Sequence, residues 1–142
     1  MNIIKVNEEK HFHGAKDVRK KVFVDEMQID HSDEFDDYDD ESHHFIAQND
    51  EGETVGAARW RRTAQGIKLE RFAVVREHRN LGIASQLLSA ILDDIGSKPE
   101  NASKRIYLHA HKEITGLYKK FGFREVGAPF QEAGVWVQEM ER

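Results

Sequence analysis

Lys68-Leu69-Glu70-Arg71-Phe72-Ala73-Val74-Val75-Arg76-Glu77-His78-Arg79-Asn80-Leu81-Gly82-Ile83-Ala84-Ser85-Gln86-Leu87-Leu88 is the stretch on which the reading of this chain turns. Its first part is rich in apolar and β-branched residues and predicts a strand. Its last part opens an amphipathic helix, with Ile83, Leu87 and Ile91 on one face and Ala84, Leu88, Leu92 and Ile95 beside them. A polar turn, Arg76 to Asn80, lies between the two. A strand that feeds a helix through such a turn leaves the first amides of the helix without intrahelical partners. Together with the helix dipole, those amides form an anion site. Gly82 and Ala84 carry no bulk there, so a phosphate could approach the backbone closely.

Composition sets the frame around this stretch. The 142 residues read as one domain, 1–142, long enough to bury a real core. No apolar run approaches a membrane span and no basic-then-apolar leader starts the chain, so no membrane partner and a cytoplasmic protein are expected. There is no cysteine, hence neither a disulfide framework nor thiolate chemistry. A formal net charge of −5 argues against a nucleic-acid partner. That charge is unevenly placed: residues 30–41 hold 8 of the 26 acids and no Lys or Arg, which leaves a mildly basic body. Such a body can hold a polyanion in one place and attract a cation in another. The acidic run should be extended and mobile, because its carboxylates repel one another.

The rest of the chain supplies a β-α-β-β-β-α-β-α-β-β order. Ile3, Ile4 and Val6 make a first strand, and Asn7 is the expected cap of a helix running to about Glu26. The acidic loop covers 28–42. Strands 43–48 and 53–62 pair as a hairpin around Asn49-Asp50-Glu51-Gly52. Strand 67–75 follows, then the long helix from about 80 to 95, stopped at Gly96. Strand 105–110, a short helix 112–121 and strands 126–130 and 135–140 complete the chain. This order predicts a mixed α/β (α+β) sandwich with helices on the sheet faces. It is not a Rossmann chain, since three strands are consecutive and Gly-x-Gly-x-x-Gly is absent; a Walker loop is absent too.

Arg79-Asn80-Leu81-Gly82-Ile83-Ala84 resembles the Arg/Gln-x-x-Gly-x-Gly/Ala signature of the GCN-five-related N-acetyltransferases (GNAT). A second stretch, Leu108 to Phe123, is similar to that family's later motif and ends in Leu117-Tyr118 and Gly122-Phe123. Further likeness runs almost end to end, through Arg19 to Glu26, the acidic stretch, His43-His44, Val55-Gly56 with Arg59, Gly127 to Phe130 and Glu139-Met140, and points to the ElaA/YjcF-like branch. Ala84 stands where many relatives have glycine. His111 stands where that branch often has glutamine and many other acetyltransferases have asparagine. The resemblance implies a mainly antiparallel sheet of about seven strands with helices on both faces. It implies acetyl-CoA as the donor co-substrate, held at Arg79, Asn80, Leu81, Gly82, Ile83, Ala84 and Ser85, with Phe72, Ala73 and Val74 offering backbone groups to the pantetheine arm. The acceptor would be a small-molecule or peptide amine, with no metal required, and a homodimer is left open.

Acetyl transfer from a thioester to an amine needs a neutral amine, a polarised carbonyl and a proton for the departing thiolate. Without cysteine, a cysteinyl acyl-enzyme is excluded, and direct attack in a ternary complex is the economical route. Tyr118 is the candidate acid, since a phenol of pKa about 10 is protonated at neutral pH; the plain alternative is a core tyrosine spaced with Ile114 and Phe121. Glu70 is the candidate base or water-positioning group, or equally a salt-bridge partner of Arg59, Arg61 or Arg71. His43 and His44 alternate across a strand, so only one can line an acceptor site; surface positions at a strand start are the alternative. Arg76, Arg79, Lys119 and Lys120 could reach cofactor phosphates or lie on plain surface. With the acidic run, the histidines hint at a metal, but the glycine and spaced ligands of a calcium loop are missing. The leading expectation is an acetyl-CoA-dependent N-acetyltransferase. A noncatalytic acyl-CoA-binding module on the same fold is the alternative, and an acidic interaction module leaves residues 79–85 unexplained.

Overall fold

A computed structural model describes residues 1–142. Its elements are β1 (Asn2–Lys5), α1 (Glu9–Arg19, continued by a π-helical segment, Lys20–Glu26), α2 (His31–Glu34), β2 (His43–Gln48), β3 (Thr54–Thr63), β4 (Gly66–Val74), α3 (Ile83–Gly96), β5 (Ile106–His111), α4 (Thr115–Lys119), β6 (Arg124–Glu132) and β7 (Val135–Glu141). The strands form one seven-stranded sheet in the order β1-β2-β3-β4-β5-β7-β6. Only β4 and β5 run parallel; every other pairing is antiparallel. This is the mainly antiparallel α+β sheet expected from the sequence.

Neighbouring residues of β3 show how the helices divide between the faces, because successive side chains of a strand point to opposite sides. Trp60 donates from Nε1 to Asp94 of α3 at 2.9 Å, while Arg59 meets the same Asp39 carboxylate that Arg19 of α1 holds. Gly56 lies under α3. A Cβ there would come within 3.1 Å of Ile83 and 3.3 Å of Leu87, so its absence sets how closely the start of α3 approaches the sheet. Leu87, Leu88 and Ile91 are fully buried on this face with Trp60 and Leu69. Each such aliphatic side chain contributes roughly 1.5–3 kcal/mol on burial.

Three expectations are corrected at this level. Asn7 does not cap α1; Glu8 stands at the cap without a side-chain bond. The chain leaves the sheet late, since the Val6 amide still donates to His44 O at 2.8 Å. The short late helix is confined to 115–119 and is preceded by a tighter turn, 112–114. The acidic run is not an extended loop. It folds into α2 and a second short turn, Asp39–Glu41, and lies against the sheet.

Candidate active site

The site begins where the sheet parts. Parallel pairing between β4 and β5 covers only Ile67–Leu69 against Ile106–Leu108. Past Leu69, β4 continues to Val74 alone on that side, and β5 turns to β7 as far as His111↔Val137. The cause is a bulge in the β3–β4 ladder between Ala57 and Arg59, with Arg71 in the left-handed region at φ 62. A bulge bends its strand and increases its twist, which carries β4 away from β5. The conformation is unfavourable for a residue with a side chain and persists where surroundings over-determine it. Here the Arg71 guanidinium donates to Asp36 Oδ2 at 3.0 Å and to Asp33 O at 3.2 Å, and pairs with Glu34 Oε2 at 3.2 Å. The parted edge leaves Phe72–Val74 with one side open to an extended ligand.

The end of that edge runs into the start of α3. Asn80 and Gly82 both have positive φ, 65 and 78, which turns consecutive amides toward one concavity. Asparagine and glycine are the residues that tolerate this backbone. Gln86 N–H donates to Gly82 O at 3.1 Å, so the amides of Ile83, Ala84 and Ser85 precede the first intrahelical bond, and no side chain caps them. A Cβ on Gly82 would meet nothing within 4 Å: glycine serves backbone conformation and open access here, not packing. Leu81 is exposed beside it.

The Arg79 side chain, expected at the cofactor phosphates, is engaged within the protein. Its guanidinium donates to both Glu26 oxygens at 2.7 Å and to Val74 O at 2.9 Å, bracing the end of β4 against the end of the first helix. The hydrogen bonds from Arg79 also hold the Glu26 carboxyl below its ordinary range. Arg76 is largely exposed, 3.5 Å from the same carboxylate, and Lys119 pairs with Glu125 at 3.1 Å.

Between the parted strands lies a cavity of about 360 Å³. Phe23, Ile29, Leu69, Phe72, Leu108 and Tyr118 make an apolar portion of its wall. The Tyr118 ring stands edge-on to Phe72 at 5.9 Å and to Phe123 at 6.1 Å. Burial pushes the Tyr118 phenol well above its usual value, so it is a protonated donor throughout the neutral range. His111 also lines the cavity, and burial keeps its imidazole neutral by lowering its pKa.

Glu70 lines the cavity as well, but its carboxylate is engaged. It accepts from Arg59 and, at 2.9 Å, from Arg61 Nε, and lies 3.3 Å from Lys68 Nζ. Burial would raise its pKa, but Arg59, Arg61 and Lys68 outweigh that and pull it down to about 2. A carboxylate so stabilised is a feeble acceptor for an ammonium proton, and the geometry favours the salt-bridge reading of Glu70. Neither His43 nor His44 is brought to the cavity. Strand alternation sends His43 to the α3 face, stacked on Trp60 at 4.1 Å. His44 goes to the opposite face, buried against Phe12 with Nε2 2.9 Å from Asp39 O. Both pack against neighbouring side chains, and neither lines the cavity.

The groups that sequence reasoning missed are the partners of the acidic run. Arg19 donates to Glu34 Oε1 at 2.8 Å and Asp39 Oδ1 at 2.7 Å; Arg59 holds Asp36 Oδ2 at 2.9 Å and Asp39 Oδ1 at 2.6 Å. Arg19 and Arg59 are 1% and 0% exposed, which decides that this is an internal network and not a surface one. Burial pushes the Glu34 carboxyl up; for Asp36 burial is outweighed by Arg59 and the carboxyl sits low. A signal existed. Arg19 follows Ala15 by four residues and so shares its inward helix face, and Arg59 alternates inward with Ala57.

Comparison with known proteins agrees with this fold. Residues 6–142 match the family model described as an acetyltransferase (GNAT) domain. An uncharacterized N-acetyltransferase of Bacillus subtilis, YjcF, is 31% identical over 134 residues, covering 94% of this chain and 92% of its own. Among solved structures, an acyl-CoA N-acyltransferase from Pseudomonas aeruginosa superposes with a TM-score of 0.86 at 21% identity, covering 99% of this chain and 98% of that one. Escherichia coli ElaA superposes at 0.83 and 20% identity, with 100% and 99% coverage. No helix is long and apolar enough to cross a membrane. The chain belongs to the GNAT acetyltransferase family, beside YjcF, and is an acyltransferase.

Proposed function

We propose that this enzyme transfers an acetyl group from acetyl-CoA directly to a primary amine within a ternary complex. The observation that carries the proposal is the continuity of three features: the open β4 edge at Phe72–Val74, the uncapped amides at Ile83–Ser85, and Tyr118 in the wall of the adjoining cavity. The relation to a structure described as an acyl-CoA N-acyltransferase supports the choice of donor. In this reading the amides after Asn80 bind the pyrophosphate, and the backbone of Phe72, Ala73 and Val74 pairs with the amide-bearing arm. The amine nitrogen attacks the thioester carbonyl, the C–S bond breaks, and the Tyr118 hydroxyl gives its proton to the leaving sulfur. Proton removal from the amine falls to water in the cavity, because Glu70 is committed to its cations.

The test is release of free CoA from acetyl-CoA across a panel of amines, with initial velocities recorded as both substrates vary. Intersecting double-reciprocal lines are expected for a ternary complex. Parallel lines would replace direct attack with an acyl-enzyme, and absence of CoA release with every amine class would remove the amine as acceptor.

A further inference from the structure

Away from its apolar wall, most charges of the cavity are already committed to one another. Glu34, Asp36 and Glu70 each face two or more cationic side chains. Arg61 donates to Glu70 and its guanidinium lies 3.8 Å over the Tyr38 ring. Lys68 differs. Its side chain is only 15% exposed, yet its carboxylate contact is a single one, Glu70 Oε1 at 3.3 Å, on a group that Arg59 and Arg61 also share. An ammonium has three donors and no acceptor. With one carboxylate contact, the Lys68 ammonium at the cavity wall keeps donors that an anionic ligand there could take up.

The surroundings of Lys68 favour such a ligand. Lys68 lines the cavity and also a second, adjoining hollow whose wall includes Arg62 and Arg105. Nearby, His109 sits between two carboxylates, with Nδ1 2.9 Å from Glu132 Oε2 and Nε2 3.3 Å from Glu139 Oε1. Glu132 therefore has its second oxygen available at the cavity wall. The Lys68 ammonium, with its single carboxylate contact, and the second Glu132 oxygen thus face the same space as Asp33, while Glu34 and Asp36 are paired with their arginines.

We infer that the acceptor is a small amine that also bears a carboxylate, an amino acid or a close analogue, and that Lys68 is the residue that binds the carboxylate. This rests on the acetyl-transfer reading above and adds the substrate class. It reverses the sign expected from residues 30–41, which on sequence grounds would draw in cations and repel anions. The cavity is near the lower end of the range for small-molecule sites, which suits an acceptor of this size.

The experiment compares matched amines that differ only in the carboxylate: lysine against cadaverine, and 4-aminobutyrate against propylamine. Wild type should favour the carboxylate-bearing member about 10- to 100-fold in kcat/KM, as expected for one charge-assisted contact. Lys68→Met should bring that ratio toward one through KM, and Lys68→Arg, which keeps the charge, should retain most of it. Equal rates for both members, or a preference that survives Lys68→Met, would overturn the anchor while leaving acetyl transfer intact. If no amine releases CoA, acetyl transfer itself fails, and the anchor is still read by binding. N-acetyllysine should then raise Tm in the presence of CoA more than N-acetylcadaverine does, and Lys68→Met should abolish the difference. Equal Tm shifts in wild type would dismiss the anchor.

Discussion

At the scale of single residues, Tyr118 and Gly82 carry separable parts of the proposed reaction. Tyr118 is held between Phe72 and Phe123, and Phe at this position preserves the ring contacts while removing the proton donor. Tyr118→Phe should lower kcat by roughly 10²–10⁴-fold, the usual weight of a general acid, with acetyl-CoA affinity nearly unchanged. Steady-state turnover and direct binding check this together; turnover within about threefold of wild type would hand the proton to water. Gly82 has φ 78 and open space where a Cβ would stand. Gly82→Glu would strain the backbone and set a negative charge before the amides of Ile83–Ser85. Saturating acetyl-CoA, at a hundred times its Kd, should stabilise wild type by about 2.7 kcal/mol and Gly82→Glu not at all. A folded variant with the full Tm shift would move the pyrophosphate elsewhere.

At the scale of elements, the segment after α1 behaves as two sets of carboxylates. Glu34, Asp36 and Asp39 are drawn inward by Arg19, Arg59 and Arg71, while Asp37 and Asp40 stay exposed. Glu34 and Asp36 of the inward set line one wall of the cavity, so the network links helix, strand and site. Arg59→Met leaves Glu70, Asp36 and Asp39 short of a buried partner and should cost about 3–5 kcal/mol, read as a lowered urea midpoint. Asp37→Asn and Asp40→Asn should each stay within about 0.5 kcal/mol of wild type. Equal sensitivity of the two sets would mean that the segment is solvated throughout. The same construction explains the parted strands: Arg71, in its left-handed conformation, is tied down by the very carboxylates that a sequence reading leaves in solvent.

At the scale of the whole molecule, partly or fully buried histidines and paired carboxylates set how stability follows pH. Burial lowers the pKa of His43, His44 and His111 in the folded chain below the ordinary histidine value of about 6.5. Below about pH 6.5 the unfolded chain therefore binds protons that the folded one refuses, and stability falls as pH drops through that region. Glu70, depressed from 4.5 to about 2, adds a second loss as pH falls below about 4.5. Glu34 acts oppositely, because burial raises its pKa and acidification relieves it. Tm measured from about pH 8 to about pH 4 at constant salt should thus decline in two stages, the first beginning near pH 6.5. A flat profile between about pH 7 and about pH 5 would contradict the lowered pKa of these histidines.

The sequence by itself determined the order of seven strands and their helices, the amphipathic face of α3 and the start of that helix; the mainly antiparallel pairing was implied by the family resemblance. Each rests on residues close in the chain: strand alternation, helical spacing, and backbone conformations that Asn80 and Gly82 accept and others resist. Tyr118 on a short helix was legible for the same reason. Only the tertiary structure decided which charges are spent. Glu70 is tied to Arg59 and Arg61, the acidic run folds onto Arg19 and Arg59, Arg79 braces Glu26, and Lys68 keeps a single carboxylate contact. Ion pairing inside a protein depends on which distant segments meet and on how completely water is removed where they meet. Neither is written in local pattern, and both pass through the sheet that brings residues 19, 36, 59 and 70 together.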